Sequence, residues 1–139
     1  EQRLDLYKRI ALIDSEEGRD EMLDELIDRF GEPSRSVQNL LFIAMLRMEA
    51  HKAFVTDIVQ RPEEIVFTLF ERAAIDASGI PAVIEKNKPY VTFTADAKHP
   101  AFHYFYKKNS RIKPKDLPDL VMTFVKELQG LALNQKSEN

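Results

Sequence analysis

The chain has 139 residues, 44% of them hydrophobic and 31% charged, with a net charge of −3, which suits one globular domain of about 100–200 residues and makes a disordered tail or a second independent core unexpected. No apolar run approaches the roughly 18 uninterrupted residues of a membrane span, and the absence of Cys excludes disulfides, thiolate nucleophiles and Cys-based zinc sites and fits a reducing cytosol. The four glycines, Gly18, Gly31, Gly79 and Gly130, are too scattered for a phosphate-cradling loop, so P-loop and dinucleotide fingerprints are excluded as well.

The opening Glu1-Gln2-Arg3-Leu4-Asp5 has neither an initiator Met nor a basic-then-apolar leader, and reads as the interior of a longer polypeptide without a secretory signal. Over residues 3–13, Leu4, Tyr7, Ile10 and Ala11 recur at helical spacing while Arg3, Asp5, Lys8 and Arg9 take other directions, which predicts a first helix. Asp14 and Glu17 have the N-cap and N3 arrangement that satisfies free backbone N–H groups, so a second helix is expected to start there. Met22, Leu23, Leu26, Ile27 and Phe30 fall on one side of it, and Gly31 stands at its left-handed terminus. Pro33 suits the first turn of a third helix running to about Phe54. Its stripe of Val37, Leu40, Leu41, Ala44, Met45 and Met48, with Phe42, Ile43 and Leu46 on the other sides, predicts a buried central helix.

Beyond this helix the pattern shortens to a period of two. Val55 to Val59 and Ile65 to Leu69 are rich in β-branched and aromatic residues and flank Gln60-Arg61-Pro62-Glu63-Glu64, which predicts a hairpin. Glu71 to Glu85 has helical spacing, but Gly79 and Pro81 require a break or two shorter pieces. Tyr90 to Thr94 and Phe102 to Tyr106 are strand-like with a turn at Lys98-His99-Pro100, and Asp119 to Leu133 returns to helical spacing. Asn134 to Asn139 is polar and expected to fray. The fold class is therefore α+β: N-terminal helices around a buried central helix, then a small, mostly antiparallel sheet and a C-terminal helix.

Few side chains are arranged for chemistry. His99 and His103 have the spacing of a metal pair, but Pro100 breaks a helical version and the nearest acid is Asp96, so packing or surface histidines are expected and no metal. His51 stands alone. No Ser, Thr or Asp lies in a strained nucleophile turn, so no catalytic residue is assigned.

Charge is more informative. Residues 1–54 hold 12 acids and 8 bases, 55–84 hold 5 and 2, 85–115 hold 2 and 8, and 116–139 hold 4 and 2. A chain with an acidic N-terminal part and a basic stretch late in the sequence suits docking on charged surfaces, in a salt-dependent way. In the basic stretch, Phe102-His103-Tyr104-Phe105-Tyr106 runs into Lys107, Lys108, Arg111, Lys113 and Lys115. That combination of aromatics and cations is what a single-stranded nucleic acid interface needs, or else a core strand followed by a solvated loop.

The second helix carries the sharper feature. Taken at about 100° per residue from Met22, the apolar set spans about 0–140°, while Glu17, Glu21, Asp24, Glu25 and Asp28 spread over about 200–300°. Residues 14–32 hold nine acids against Arg19 and Arg29. Like charges four apart, such as Glu21/Glu25 and Asp24/Asp28, each cost a few tenths of a kcal/mol. Such repetition fits either a solvated face or one kept for a basic partner.

Three separate motifs, Leu6-Tyr7-Lys8-Arg9-Ile10-Ala11, then Glu25-Leu26-Ile27-Asp28-Arg29-Phe30-Gly31 with Pro33 following, then Asn39-Leu40-Leu41-Phe42-Ile43-Ala44-Met45-Leu46-Arg47, resemble the C-terminal domain of bacterial transcription-repair coupling factors (Mfd) in order and spacing. The likeness covers residues 3 to about 53. It implies that the chain is a single regulatory domain, residues 1–139, of a large cytoplasmic ATP-driven DNA translocase that displaces stalled RNA polymerase and recruits UvrA. ATP, Mg and double-stranded DNA would then belong to a motor outside this chain, and no cofactor or membrane is implied for the chain itself. The resemblance also implies a clamp on the parent's UvrB-like N-terminal module that hides its UvrA-binding surface. By motif position, Glu25 and Asp28 face that module, with Glu21 and Asp24 beside them on the acidic side. This reading requires carboxylates that the domain does not neutralise itself. The alternative is a nucleic-acid module acting through Lys107, Lys108, Arg111 and Lys113.

Overall fold

Ser15 begins the first complete helix: its hydroxyl accepts the Gly18 N–H at 3.0 Å, and helix α1 runs over Glu16–Phe30. The computed structural model describes residues 8–133. The start of the first predicted helix, residues 3–7, and the tail Asn134 to Asn139 lie outside them; residues 8–11 are helical. The cap is thus Ser15 and not Asp14, because the hydroxyl one residue later is the group that reaches the free N–H. At the other end Gly31 takes φ +79°, a conformation that penalises any Cβ, and donates its N–H to the Ile27 carbonyl at 2.9 Å.

Helix α2 spans Arg35–Lys52. It starts after Pro33 because Ser34 is the capping residue, its hydroxyl accepting the Val37 N–H at 3.3 Å. The chain divides within this helix into two units, residues 1–48 and 49–139. In the first, Ile10, Ile13, Met22, Leu26, Val37, Leu41 and Ala44 form one buried cluster. The apolar composition of α2 does not produce burial all round: Leu40 and Ile43 are exposed. Arg47 closes the end of the first helix by donating to the Ala11 carbonyl at 2.6 Å, one of the terminal acceptors that no helical N–H reaches.

The second unit holds the sheet. Strands β1 (Val55–Gln60) and β2 (Ile65–Leu69) form the expected hairpin, its turn closed by the Arg61 N–H on the Glu64 carbonyl at 2.7 Å. After a 3-10 turn at Ala77–Gly79, capped by Asp76, comes the short helix α3 (Ile80–Lys86). The pieces predicted on either side of the Gly79 break shrink to these two. Strands β3 (Val91–Thr94) and β4 (Ala101–Tyr104) complete an antiparallel sheet of order β1-β2-β4-β3. The fold is α+β.

Register places Phe67 opposite Phe102 and Phe102 opposite Phe93, so alternate residues of three strands point to one face. Helix α4 (Leu117–Leu128) covers that face. Its Phe124 ring sits 4.8 Å from Phe67, 5.3 Å from Tyr104 and 5.8 Å from Phe102. Pro118 in the first turn starts α4 two residues earlier than its spacing predicts, and the final residues tighten into a 3-10 turn, Gln129–Leu131. β4 ends before Phe105 because Tyr106 turns inward, where its hydroxyl donates to the Arg61 carbonyl at 2.6 Å.

Candidate functional site

Helix α1 presents the acidic face, and the structure sorts its carboxylates into two kinds. Glu25 is engaged at home. The packing of Ile10 against Met22 and Leu26 brings Arg9 alongside, and its guanidinium meets Glu25 through two contacts of 2.5 and 2.6 Å. Arg29, one turn further on, adds a third at 3.1 Å. Hydrogen bonding from Arg9, seconded by Arg29 and opposed by some desolvation, holds the Glu25 carboxyl down to about 2 from 4.5. The expectation that Glu25 offers its charge to a partner therefore meets a residue already neutralised by its own domain.

A carboxylate whose pKa is depressed by folding stabilises the folded state fully above its ordinary value, and loses that contribution as pH falls from about 4.5 toward about 2. Glu25→Gln is expected to lower the melting temperature at pH 7, with the difference from the parent closing over that window; thermal scans at pH 7 and pH 2.5 check it.

Glu21, Asp24 and Asp28 are of the other kind. All three are exposed, and none makes an ion pair among the described residues. Arg29 is committed to Glu25 and lies over the Phe30 ring at 5.8 Å, and Arg19 pairs with Asp20 at 3.0 Å. The basic residues of α1 therefore leave the Glu21–Asp24–Asp28 side uncompensated.

The apolar stripe is also narrower than periodicity predicts. Met22 and Leu26 are buried, whereas Ile27 is 46% and Phe30 56% exposed. On the helical wheel Ile27, at about 140°, borders Asp24 at about 200°. The outward face thus combines a large apolar side chain with carboxylates that have no ion pair among the described residues, a combination periodicity alone does not reveal because Ile27 reads as core. Arg9 could not be foreseen as a partner either, since 16 residues separate it from Glu25. The Glu25–Arg29 pair has the i,i+4 spacing that favours an ion pair on a helix, a signal the charge count alone passes over.

In the second unit the aromatic residues of the basic stretch are consumed by packing. Phe102 is fully buried, Tyr104 packs edge-on to Phe124, and Tyr106 is bonded inward. Phe105 has His103 stacked 6.3 Å away and the Lys108 ammonium 5.0 Å from its ring centre. His103 is held by Glu64 at 2.6 Å and Thr94 at 2.8 Å and does not pair with His99, which is exposed. Lys107, Lys108, Arg111 and Lys113 are exposed and make no ion pair among the described residues. The cations of the alternative reading are available; stacking platforms for bases are not.

Comparison with known proteins decides the family. Residues 1–80 match the family model of the TRCF domain. The chain belongs to the TRCF domain family. Two curated relatives carry the name transcription-repair-coupling factor. The one from Bacillus subtilis (strain 168) is 32% identical over 78 residues, 56% of this chain and 7% of the relative. The one from Escherichia coli (strain K12) is 26% identical over 131 residues, 94% of this chain and 11% of the relative. This TRCF domain thus spans about a tenth or less of the length of these relatives. Its fold is that of a solved structure described as the C-terminal domain of transcription-repair coupling factor, with a TM-score of 0.74 at 20% identity, over 99% of this chain and 83% of the other. No described helix is long and apolar enough to cross a membrane.

Proposed function

We propose that this TRCF domain is a non-catalytic, autoinhibitory interaction domain of a cytoplasmic, ATP- and Mg-dependent DNA translocase. It packs on the parent's UvrB-like N-terminal module and masks UvrA binding until the parent engages RNA polymerase and DNA. The observation that carries this reading is the outward face of α1, where Glu21, Asp24 and Asp28 stand exposed, without an ion pair among the described residues, beside the exposed Ile27. Burying an apolar side chain of that kind contributes about 1.5–3 kcal/mol, and exposed ion pairs about 0–1 kcal/mol each. A contact built from such terms holds a closed state by a few kcal/mol, a gap that a ligand of the open state can overcome.

Because Glu25 is bonded to Arg9 and Arg29, our reading divides the roles differently from the motif alone. Glu25 holds the first helix against α1, and Asp28, Asp24 and Glu21 meet the arginines of the partner module. UvrA binding by the intact coupling factor tests the reading: Asp24→Lys with Asp28→Lys should increase it, and unchanged binding would count against the masking role.

A further inference from the structure

The second unit carries a surface cavity of about 210 Å³ between the end of β1 and the turns that follow β4. Its polar lining comes from Gln60, Lys107, Asn109, Ser110 and Lys113, and the rest from Tyr106, Ile112, Pro114 and Leu117. No carboxylate lines it. The donors there are uncommitted. Lys107 and Lys113 have no ion pair, and the Ser110 N–H has no hydrogen bond, among the described residues. Asn109 accepts the Arg111 N–H on its side-chain oxygen at 3.0 Å, which leaves its amide NH₂ to donate. Asp116 is turned back onto the Lys113 backbone N–H at 2.8 Å, and Glu63 meets the Lys107 N–H with its backbone carbonyl.

We propose that this cavity and its rim bind the phosphodiester backbone of a nucleic acid. A concave site bordered by two lysines without ion pairs among the described residues, by free N–H donors and by no carboxylate favours an anion. Lys108, Arg111 and Lys115 extend the positive charge along residues 107–115, a run suited to a polymer carrying charge at every unit. Protein partners need exposed apolar anchors, and the large exposed apolar residues of this unit, Val59, Phe70 and Leu133, do not line the cavity. Because the neighbouring aromatics are spent in packing, contact is through phosphates and indifferent to base sequence.

The test is fluorescence anisotropy of a labelled 20-base-pair duplex with the 139-residue chain at 50 and 200 mM salt. Three neutralised phosphates predict an affinity loss of about 40-fold between those salts. Lys107→Gln with Lys113→Gln should weaken low-salt binding about tenfold or more and flatten the salt dependence by roughly two phosphates. Lys86→Gln with Lys88→Gln removes the same charge from lysines that face Glu127 and Glu85 at 3.8 Å, and should change affinity less than twofold. Equal losses in both variants, or no binding at 50 mM salt, would overturn the site. Competition by polyglutamate of matched charge as effective as unlabelled duplex would replace the nucleic acid with an acidic protein surface.

Discussion

Truncating Phe124 to Ala is expected to remove about 3–5 kcal/mol of stability from the second unit, the range for deleting a buried aromatic ring. The ring is 2% exposed and is the point where α4 meets three aromatic residues of the sheet, Phe67, Phe102 and Tyr104. The loss combines the transfer of the ring, the cavity left behind, and one tilted and two edge-on aromatic contacts worth about 0.5–1.5 kcal/mol each. Against a total of about 5–15 kcal/mol for a typical domain, it takes much of the margin. Three of the four tyrosines, Tyr90, Tyr104 and Tyr106, lie in residues 49–139, so urea unfolding followed by tyrosine near-ultraviolet circular dichroism reports mainly on this unit. The midpoint should fall by about 1–3 M. A shift under about 0.3 M would show that α4 does not depend on this contact.

Reversing Asp24 and Asp28 to Lys in the intact coupling factor is expected to strengthen UvrA binding about tenfold, equivalent to about 1.4 kcal/mol. Each lost pair contributes little by itself, and the new lysines add repulsion against a basic partner surface. Glu25→Gln supplies the contrast. Its carboxylate serves Arg9 and Arg29, so its loss should reduce stability at neutral pH while leaving UvrA binding within about twofold of the parent. If Glu25→Gln strengthened UvrA binding and the Asp24/Asp28 reversal did not, the roles assigned on α1 would be inverted.

The elements of this fold were legible where one period dominates. The β1–β2 hairpin, with β-branched residues on both sides of a polar turn, emerged with nearly the predicted ends, as did α1 between a polar cap and Gly31. Ends set by a particular hydrogen bond were not: Ser15 and Ser34 replaced Asp14 and Pro33 as the start signals. The inward turn of Tyr106, made for a carbonyl 45 residues away, likewise ended β4 early. The motif likeness over residues 3 to about 53 fell within the family match, which extends to residue 80. At the candidate site, the excess of acid on α1 was plain from composition. Which carboxylates remain available depended on Arg9, whose approach follows from packing of the first helix and leaves no local signature. The exposure of Ile27 and Phe30 was hidden for a related reason, since periodicity gives the direction of a side chain but not whether anything covers it.

The central claim is that the Asp24/Asp28 face of α1 binds the UvrB-like module of its own parent, and titrating this 139-residue chain into that module, expressed separately, tests it without the rest of the motor. The account predicts a dissociation constant of about 1–100 µM at 50 mM salt, weakening severalfold by 300 mM, abolished by Asp24→Lys with Asp28→Lys and retained in Glu25→Gln. Binding that is absent at low salt, or that survives the double reversal unchanged, would contradict it.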